Sequence, residues 1–248
     1  MPTIADQEWF RAYYGEDYGE SVRDLLTPER TRGEVDFIVQ ATGLAWRARI
    51  ADLGCGEGRH ALEFAHRGHS VTAIDLNRTY LQRGRERAQS SETVQWICAD
   101  MREPQPGPFD LVLLLFHSFG FFSDEENARL LRVWRTETAP RGHVLIDVWN
   151  TERILRDFAP HAVRTAPSVT TVEERSWDPG TRRLNVHYTY RQAGAPTRAY
   201  DTSFRLYSRD ELWDLLLQAG YVPQGVYGSL RGDAWNAEAT RCVVVARG

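Results

Sequence analysis

The chain has 248 residues, a formal net charge of −4, 42% hydrophobic residues and 26% charged residues. This length is enough to bury a large core, and the composition excludes a wholly disordered chain. Because its net charge is negative, the chain lacks the overall positive charge that favours binding to a phosphate backbone, so we expect no nucleic-acid partner. The longest uninterrupted apolar run, 111–116, is far too short to span a membrane, and charged residues occupy the place of a signal peptide's apolar stretch. We therefore expect a cytoplasmic protein that does not insert into a membrane.

The lysine and cysteine content excludes further classes of enzyme and of binding site. All 30 positively charged side chains are arginines, whereas Schiff-base chemistry, pyridoxal-phosphate anchoring and the usual phosphate-binding loop each need a lysine. The 3 cysteines are widely spaced and form no CxxC pair. We therefore predict neither a disulfide framework nor a zinc cluster, and no metal site.

The first 165 residues alternate between helical and strand patterns. Residues 1–46 are predicted to be helical, with a helix that begins after Thr27 and ends at Gly43. Short strands and helices then follow one another, and Asn77 is a suitable N-cap for the helix after the second strand. The predicted strands are 49–53, 70–74, 94–98, 109–116 and 144–148. The fourth run does not alternate, which is typical of a strand covered on both faces, so we predict a parallel sheet with right-handed crossovers.

The pattern changes near residue 168. Runs of β-forming residues joined by tight Gly-Pro turns predict an antiparallel meander between 168 and 206. A helix is predicted over 208–219. Two final strands are predicted over 221–227 and 240–246.

A glycine-rich turn and two acids carry the chemistry. The turn 54–58 follows the first strand, where backbone can approach a ligand closely and the next helix offers its N–H groups. Asp75 ends the second strand, where its carboxylate can accept both ribose hydroxyls. Asp100 ends the third strand, where it can meet an adenine amino group beside Met101. A nicotinamide dehydrogenase would need a third glycine at the position that Arg59 holds.

Four stretches extend this pattern: 26–31 (LTPERT), 52–60 (DLGCGEGRH), 116–122 (FHSFGFF) and 205–208 (RLYS). Together with the acids they resemble class I S-adenosylmethionine-dependent methyltransferases, within a bacterial small-molecule group that includes relatives of glycine and aminosugar N-methyltransferases. The resemblance covers nearly the whole chain. It implies an α/β, Rossmann-like, doubly wound seven-stranded sheet whose last strand is antiparallel, with an N-terminal helical lid and an antiparallel β insertion. It also implies S-adenosyl-L-methionine as cofactor and S-adenosyl-L-homocysteine as product.

We interpret the chain as one methyltransferase domain in four parts. These are a helical lid (1–46), a cofactor-binding core (47–165), the β insertion (166–207), and a C-terminal helix with the final strands (208–248). The insertion serves either as a second cover over the site or as the interface of a homodimer. Both alternatives stay open at this stage.

The predicted cofactor site combines the motif residues with aromatic side chains that favour a cationic donor. The predicted cofactor-binding residues are Tyr14, Tyr18, Arg30, Asp52, Gly54, Cys55, Gly56, Asp75, Leu76, Asp100, Met101, Leu115 and Phe116. Within this set, Arg30 is a candidate partner for the methionine carboxylate, with a surface position as the alternative.

The acceptor side is predicted from the ends of the fourth and fifth strands. His117 is the candidate general base, because it follows the fourth strand and a histidine titrates near neutrality. It could instead orient the acceptor or only line the wall. The predicted substrate-lining residues are Phe119, Trp149, Asn150 and His187, although Asn150 could simply cap a helix.

Missing motifs restrict the acceptor. The Asp/Asn-Pro-Pro-aromatic turn of nucleobase amino methyltransferases is absent after the fourth strand, and so is the cysteine of pyrimidine C5 enzymes. Paired glutamates of protein arginine enzymes are also absent there. We therefore predict methyl transfer to nitrogen or oxygen of a small metabolite or natural-product intermediate. The alternatives are an NAD(P)-dependent oxidoreductase and a non-catalytic regulatory module that binds S-adenosylmethionine.

Overall fold

A central sheet organises the chain, and a computed structural model describes residues 8–88 and 93–248. The helices described are α1 (Phe10–Tyr13), α2 (Glu16–Val22), α3 (Pro28–Thr42), α4 (Arg59–His66), α5 (Arg78–Arg87), α6 (Asp124–Glu137), α7 (Thr151–Arg156) and α8 (Arg209–Gln218). The strands described are β1 (Arg49–Leu53), β2 (Ser70–Asp75), β3 (Val94–Cys98), β4 (Phe109–Leu114), β5 (Thr138–Trp149), β6 (His161–Thr165), β7 (Thr170–Asp178), β8 (Arg183–Arg191), β9 (Arg198–Arg205), β10 (Val222–Tyr227) and β11 (Arg241–Arg247). None of the described helices is long and apolar enough to cross a membrane.

The larger sheet has the strand order β10-β11-β5-β4-β1-β2-β3. Strands β1 to β5 pair in parallel, and β11 pairs antiparallel to both β5 and β10. This arrangement confirms the predicted α/β fold with seven strands in the sheet and an antiparallel last strand. Because parallel strands point the same way, the segments that follow β1, β2, β3 and β4 meet at one edge of the sheet.

Local sequence signals determine where helix α3 begins and ends. Thr27 Oγ1 accepts the backbone N–H of Arg30 at 3.2 Å, Pro28 occupies the first turn, and Gly43 ends α3 in the left-handed conformation at φ 59°. Each feature satisfies or tolerates backbone groups that a helix end leaves unpaired. The predicted boundaries at Thr27 and Gly43 are therefore those of the structure.

The N-terminal helices divide between two layers. Phe10 and Tyr13 of α1 are buried among residues of the main core, including Phe121 and Phe204. Val35 and Ile38 of α3 are buried instead in a second core on the α4 side of the sheet. Because α1 packs on the main core and α3 on the second one, we use "lid" for α1 and α2, residues 10–22, alone.

The meander forms a separate antiparallel sheet with the order β6-β7-β8-β9. Strands β7, β8 and β9 lie within the meander predicted between 168 and 206. The sheet begins with β6 at His161, inside the segment that we assigned to the core, which ended at 165. Strand β6 escaped prediction because it is a short edge strand with exposed alternate residues and carries little hydrophobic pattern.

Candidate active site

A cavity of about 870 Å³ lies at the carboxyl ends of β1 to β4, beneath the lid. That volume is in the range of pockets that bind cofactors and drug-sized molecules. Twelve of the 13 predicted cofactor residues line it: Tyr14, Tyr18, Asp52, Gly54, Cys55, Gly56, Asp75, Leu76, Asp100, Met101, Leu115 and Phe116. The cavity therefore forms where the sequence motifs converge.

The glycine-rich turn brings backbone to the cavity wall. Gly54 and Gly56 have φ values of 68° and 58°, a left-handed region that disfavours side chains. A Cβ on Gly54 would lie 3.0 Å from Ser118 Oγ, whereas a Cβ on Gly56 would meet no atom within 4 Å. The face of Gly56 is thus open to a ligand, and its position depends on glycine's conformational freedom.

Asp75 is the acid at the end of β2. One carboxylate oxygen accepts the backbone N–H of Gly56 at 2.7 Å, and the other accepts the backbone N–H of Asn77 at 2.8 Å. Burial raises the pKa of Asp75, and these two N–H groups partly offset that rise. Since a carboxylate has about four lone-pair sites, the group can still accept hydroxyl donors from a ribose.

Asp52 and Arg59 place two unsatisfied polar atoms in the wall of the cavity. Asp52 Oδ2 and Arg59 Nη2 are both buried without a hydrogen-bond partner in the described part of the chain. Burial raises the pKa of Asp52 to about 7, although the nearby Arg59 charge partly lowers it. An unpaired acceptor and an unpaired donor are costly when buried, and together they complement a ligand that carries an ammonium and a carboxylate.

Glu34 holds Arg59 in place. The side chain of Glu34 is nearly buried on α3, where its carboxylate contacts Arg59 and accepts a hydrogen bond from Arg30 at 2.7 Å. His60 contacts the same carboxylate at 2.9 Å, and burial lowers the pKa of His60 to about 4. The Glu34 carboxylate therefore balances two fixed positive charges beside a neutral histidine.

Arg30 does not line the cavity in this structure. Its Nε donates to Glu34 and its Nη1 donates to the carbonyl of Leu25 at 3.0 Å. The guanidinium lies 5.6 Å from the centre of the Phe116 ring, outside the cavity wall. Arg59, whose Nη2 is unpaired, occupies the position toward the cavity that sequence reasoning gave to Arg30.

Asp100 follows β3 and lines the cavity, but its carboxylate is already engaged. Arg102 donates to it from the backbone at 2.9 Å and from two side-chain nitrogens at 3.1 and 2.7 Å. Burial raises the pKa of Asp100, but the hydrogen bonds and charge of Arg102 outweigh that effect and hold it below its ordinary value. Asp100 thus has less free capacity for an adenine amino group than we predicted.

A left-handed pair of residues follows β4. Phe116 and His117 have φ values of 54° and 66°, which costs each of them about 1–2 kcal/mol. Asp147 on β5 stabilises the turn, because its side chain accepts the N–H of Phe116 and its carbonyl accepts the N–H of His117, both at 2.9 Å. Arg241 on β11 donates to the same carboxylate at 2.6 Å. This support directs Phe116 into the cavity wall.

His117 lies behind that wall rather than on it. Its ring stacks on Trp149 with centroids 3.8 Å apart, and its Nδ1 accepts the backbone N–H of Trp149 at 3.3 Å. A neutral imidazole with an accepting Nδ1 carries its proton on Nε2, and that atom is buried without a partner in the described residues. Burial lowers the pKa of His117 well below its ordinary value. The direction of this shift is opposite to the expectation that His117 titrates near neutrality.

The predicted substrate-lining residues are not brought to the cavity. Trp149 stacks on His117, and Phe119 is buried against Tyr207. Asn150 caps α7 by accepting the N–H of Glu152 at 3.2 Å, as the alternative interpretation held. His187 is exposed on β8, where its Nδ1 contacts Asp201 at 2.8 Å.

Several lining residues were missed by sequence reasoning. They include Phe10, Ser118, Phe121 and Phe122, with Tyr80 and Arg83 from α5. Phe121 and Phe122 are buried in the core and also border the cavity. Their place depends on long-range packing against α1, for which the local sequence carries no signal.

The residues present fit S-adenosylmethionine. Asp75 suits ribose hydroxyls, the open face of Gly56 admits a ligand against backbone, and Asp52 with Arg59 suits the charged amino-acid end. Tyr14, Tyr18 and Phe116 add aromatic faces that favour a sulfonium. Within the described residues, no group of three His, Cys, Asp or Glu side chains is placed to hold a metal ion.

Comparison with known proteins agrees with this assignment. Residues 50–142 match the family model described as a methyltransferase domain. The chain is 30% identical over 155 residues to the tRNA 5-carboxymethoxyuridine methyltransferase of Escherichia coli (strain K12), covering 60% of this chain and 56% of that protein. It spans about half the length of the curated relatives it matches.

Solved structures show the same fold over nearly the whole chain. The CcbJ methyltransferase from Streptomyces caelestis superposes with a TM-score of 0.79 at 20% identity, covering 95% of this chain and 99% of that one. CalS10, an amino pentose methyltransferase from Micromonospora echinaspora, gives a TM-score of 0.62 at 22% identity, covering 100% and 99%. The chain therefore has the fold of these methyltransferases, and its residues 50–142 match a methyltransferase domain.

Proposed function

We propose that this chain transfers the methyl group of S-adenosylmethionine to a nitrogen or oxygen of a small-molecule acceptor that enters the same cavity. The observation that carries the proposal is the cavity itself, where Asp75, the open face of Gly56 and the unpaired atoms of Asp52 and Arg59 converge. No other arrangement of unsatisfied polar atoms in the described residues suits a nucleoside joined to an amino acid as well.

The reaction is a direct displacement. Bound S-adenosylmethionine supplies an electrophilic methyl on a sulfonium; the acceptor's lone pair forms the new bond, the carbon–sulfur bond breaks, and the acceptor loses a proton. The chain's residues bind and align the reactants and exclude water, which can supply about 7–11 kcal/mol of the barrier. Tyr14 and Tyr18 of the lid enclose the site from above, and Phe116 encloses it from the β4 side.

We assign no proton transfer to His117. Its accepting Nδ1 is occupied by the Trp149 N–H, its Nε2 carries the proton, and burial keeps it neutral by lowering its pKa. A neutral Nε2–H tautomer donates hydrogen bonds and cannot accept a proton at Nε2. An acceptor amine that enters the cavity unprotonated needs no base before the displacement, and the proton leaves afterwards to solvent.

Three observations favour a small acceptor. The cavity of about 870 Å³ is partly enclosed by the lid, which limits what can enter. The formal net charge of −4 does not favour a long phosphate backbone. CalS10, whose fold the chain shares, is described as an amino pentose methyltransferase. An amine on a sugar-sized molecule is therefore the first acceptor class to test.

The test has two stages. Isothermal titration with S-adenosylmethionine and, separately, with NADH decides between methyl transfer and hydride transfer, since the proposal expects binding of the first alone. Release of S-adenosylhomocysteine is then measured with amino sugars, simple amines, phenols and unmodified tRNA as acceptors. Turnover with tRNA alone would refute a small acceptor and would agree with the Escherichia coli relative. Cofactor binding without turnover on any acceptor would support a non-catalytic module.

A further inference from the structure

Asn77 joins the cofactor site to the lid. Its backbone N–H donates to Asp75 Oδ1 at 2.8 Å, and its side-chain Oδ1 caps α5 by accepting the N–H groups of Thr79 at 3.0 Å and Tyr80 at 3.2 Å. The remaining group, the side-chain amide nitrogen, donates to the carbonyl of Tyr14 at 2.9 Å. Asn77 thus contacts Asp75, which is the acid assigned to the ribose, and it also contacts the start of α5 and the lid.

The contact with the lid lies at its turn. Tyr14 follows α1 and Gly15 precedes α2, so their carbonyls belong to the link between the two lid helices. The Tyr80 hydroxyl donates to the Gly15 carbonyl, next to the bond from Asn77. Both anchors come from the start of α5, which Asn77 itself caps.

The opposite side of the lid is attached to the β insertion. Asp17 on α2 is buried, and its Oδ2 accepts the Tyr200 hydroxyl at 2.7 Å, while Arg198 contacts the same carboxylate at 3.3 Å. The α5 anchors therefore control only the side of the lid that faces Asp75. Loss of the α5 anchors would leave the contacts of Asp17 with β9 in place.

We propose that Asn77 is a positioning residue that couples the occupied ribose site at Asp75 to closure of the lid, so that nucleoside release requires the Asn77–Tyr14 hydrogen bond to break. The proposal rests on the proposed S-adenosylmethionine site. Asp75 orients the Asn77 backbone, and the cap fixes the side chain with its amide toward Tyr14, so ligand contacts with Asp75 and the lid contact share one rigid unit.

The test separates the amide donor from the cap. Asn77→Ser and Asn77→Asp both keep an oxygen that caps α5, but both lack the amide that donates to Tyr14. Two variants of different charge are needed because Asn77→Asp also adds a negative group beside Asp75. The matched control is Asn150→Ser, which alters another N-cap whose amide donates to the loop carbonyls of Asn236 and Ala239, away from the cavity.

The measurement is the dissociation rate of radiolabelled S-adenosylhomocysteine, chased with unlabelled ligand on the full chain. Loss of one hydrogen bond predicts a rate roughly three- to ten-fold higher for both Asn77 variants, and no change for Asn150→Ser. Tyr80→Phe should raise the rate further when combined with Asn77→Ser. A second readout is trypsin cleavage after Arg23, which bound ligand should slow in the wild type but much less in the Asn77 variants.

Each outcome has one meaning. Unchanged dissociation from both Asn77 variants, or an equal rise with Asn150→Ser, refutes the coupling while leaving the cofactor site intact. Trypsin cleavage that ligand slows equally in wild type and variants also refutes it. A wild-type chain that fails to bind S-adenosylhomocysteine refutes the proposed function instead.

Discussion

Replacing Asp52 by asparagine should change how stability depends on pH. Burial raises the pKa of Asp52 from 3.8 to about 7 in the folded chain. The folded chain therefore holds a proton on this carboxyl between about pH 4 and 7 that the unfolded chain releases, so the contribution of Asp52 to the free energy of unfolding falls as pH rises through that window. Above about pH 7, the ionised carboxylate lowers the free energy of unfolding by an amount that no longer changes with pH.

The size of that penalty follows from the pKa difference. Each unit of pKa difference between the folded and the unfolded chain corresponds to about 1.4 kcal/mol. The rise in the pKa of Asp52 to about 7 therefore lowers the free energy of unfolding by about 4 kcal/mol at pH 8. The side-chain amide of the Asp52→Asn variant can keep the acceptor for the Ala61 N–H and cannot ionise. This variant should therefore match the wild type near pH 4 and exceed its stability by up to about 4 kcal/mol at pH 8.

Urea unfolding at steps between pH 4 and 8, without ligand, measures the difference between the two chains. Comparing them at each pH cancels the other titrating groups, which are common to both. A difference that stays constant over the whole range would refute the burial of an unpaired carboxylate at Asp52.

S-adenosylmethionine should bind the wild type more tightly as pH rises from 6 to 8, because the ionised Asp52 pairs with the ammonium of the ligand. This trend should be absent in the Asp52→Asn variant.

Four further variants test other parts of the structure. Asp75→Ala should weaken S-adenosylmethionine binding by about 1–3 kcal/mol by calorimetry, and by more than Asp100→Ala, whose carboxylate is already engaged by Arg102; equal losses would contradict our division of their roles. Once an acceptor is found, His117→Gln should lower turnover less than about fivefold and leave the pH profile unchanged, whereas a loss of about 10²–10⁴-fold would establish His117 as the base. Arg47→Gly should raise stability by up to about 1 kcal/mol in thermal unfolding, because exposed Arg47 has a φ of 58°; clear destabilisation would show that its side chain makes a stabilising contact.

The elements that local sequence could predict are those fixed by local chemistry. Caps at Thr27 and Asn77, the glycine turn after β1 and the acids after β2 and β3 all depend on residues close in sequence. Twelve predicted residues consequently line the cavity. Helix α7 was predicted only through the alternative that Asn150 caps a helix, because its 6 residues give too short a pattern.

Long-range contacts decided the features that sequence reasoning missed. The orientation of Arg59 depends on Glu34, 25 positions away in the chain. The neutrality of His117 depends on Trp149, 32 positions away, and on the packing that buries His117. No short stretch of sequence around Glu34 shows which of the two arginines, Arg30 or Arg59, will lie away from the cavity.

The position of β11 has a consequence for folding during synthesis. This strand follows the other described strands in the chain, yet it lies inside the sheet, between β5 and β10. While residues 241–247 remain in the ribosome, β5 presents an unpaired hydrophobic edge and the buried Asp147 carboxylate lacks Arg241. A nascent chain that has released only the residues before β11 thus exposes the kind of edge that chaperones recognise. The turn that presents Phe116 acquires its full support only when the last strand docks.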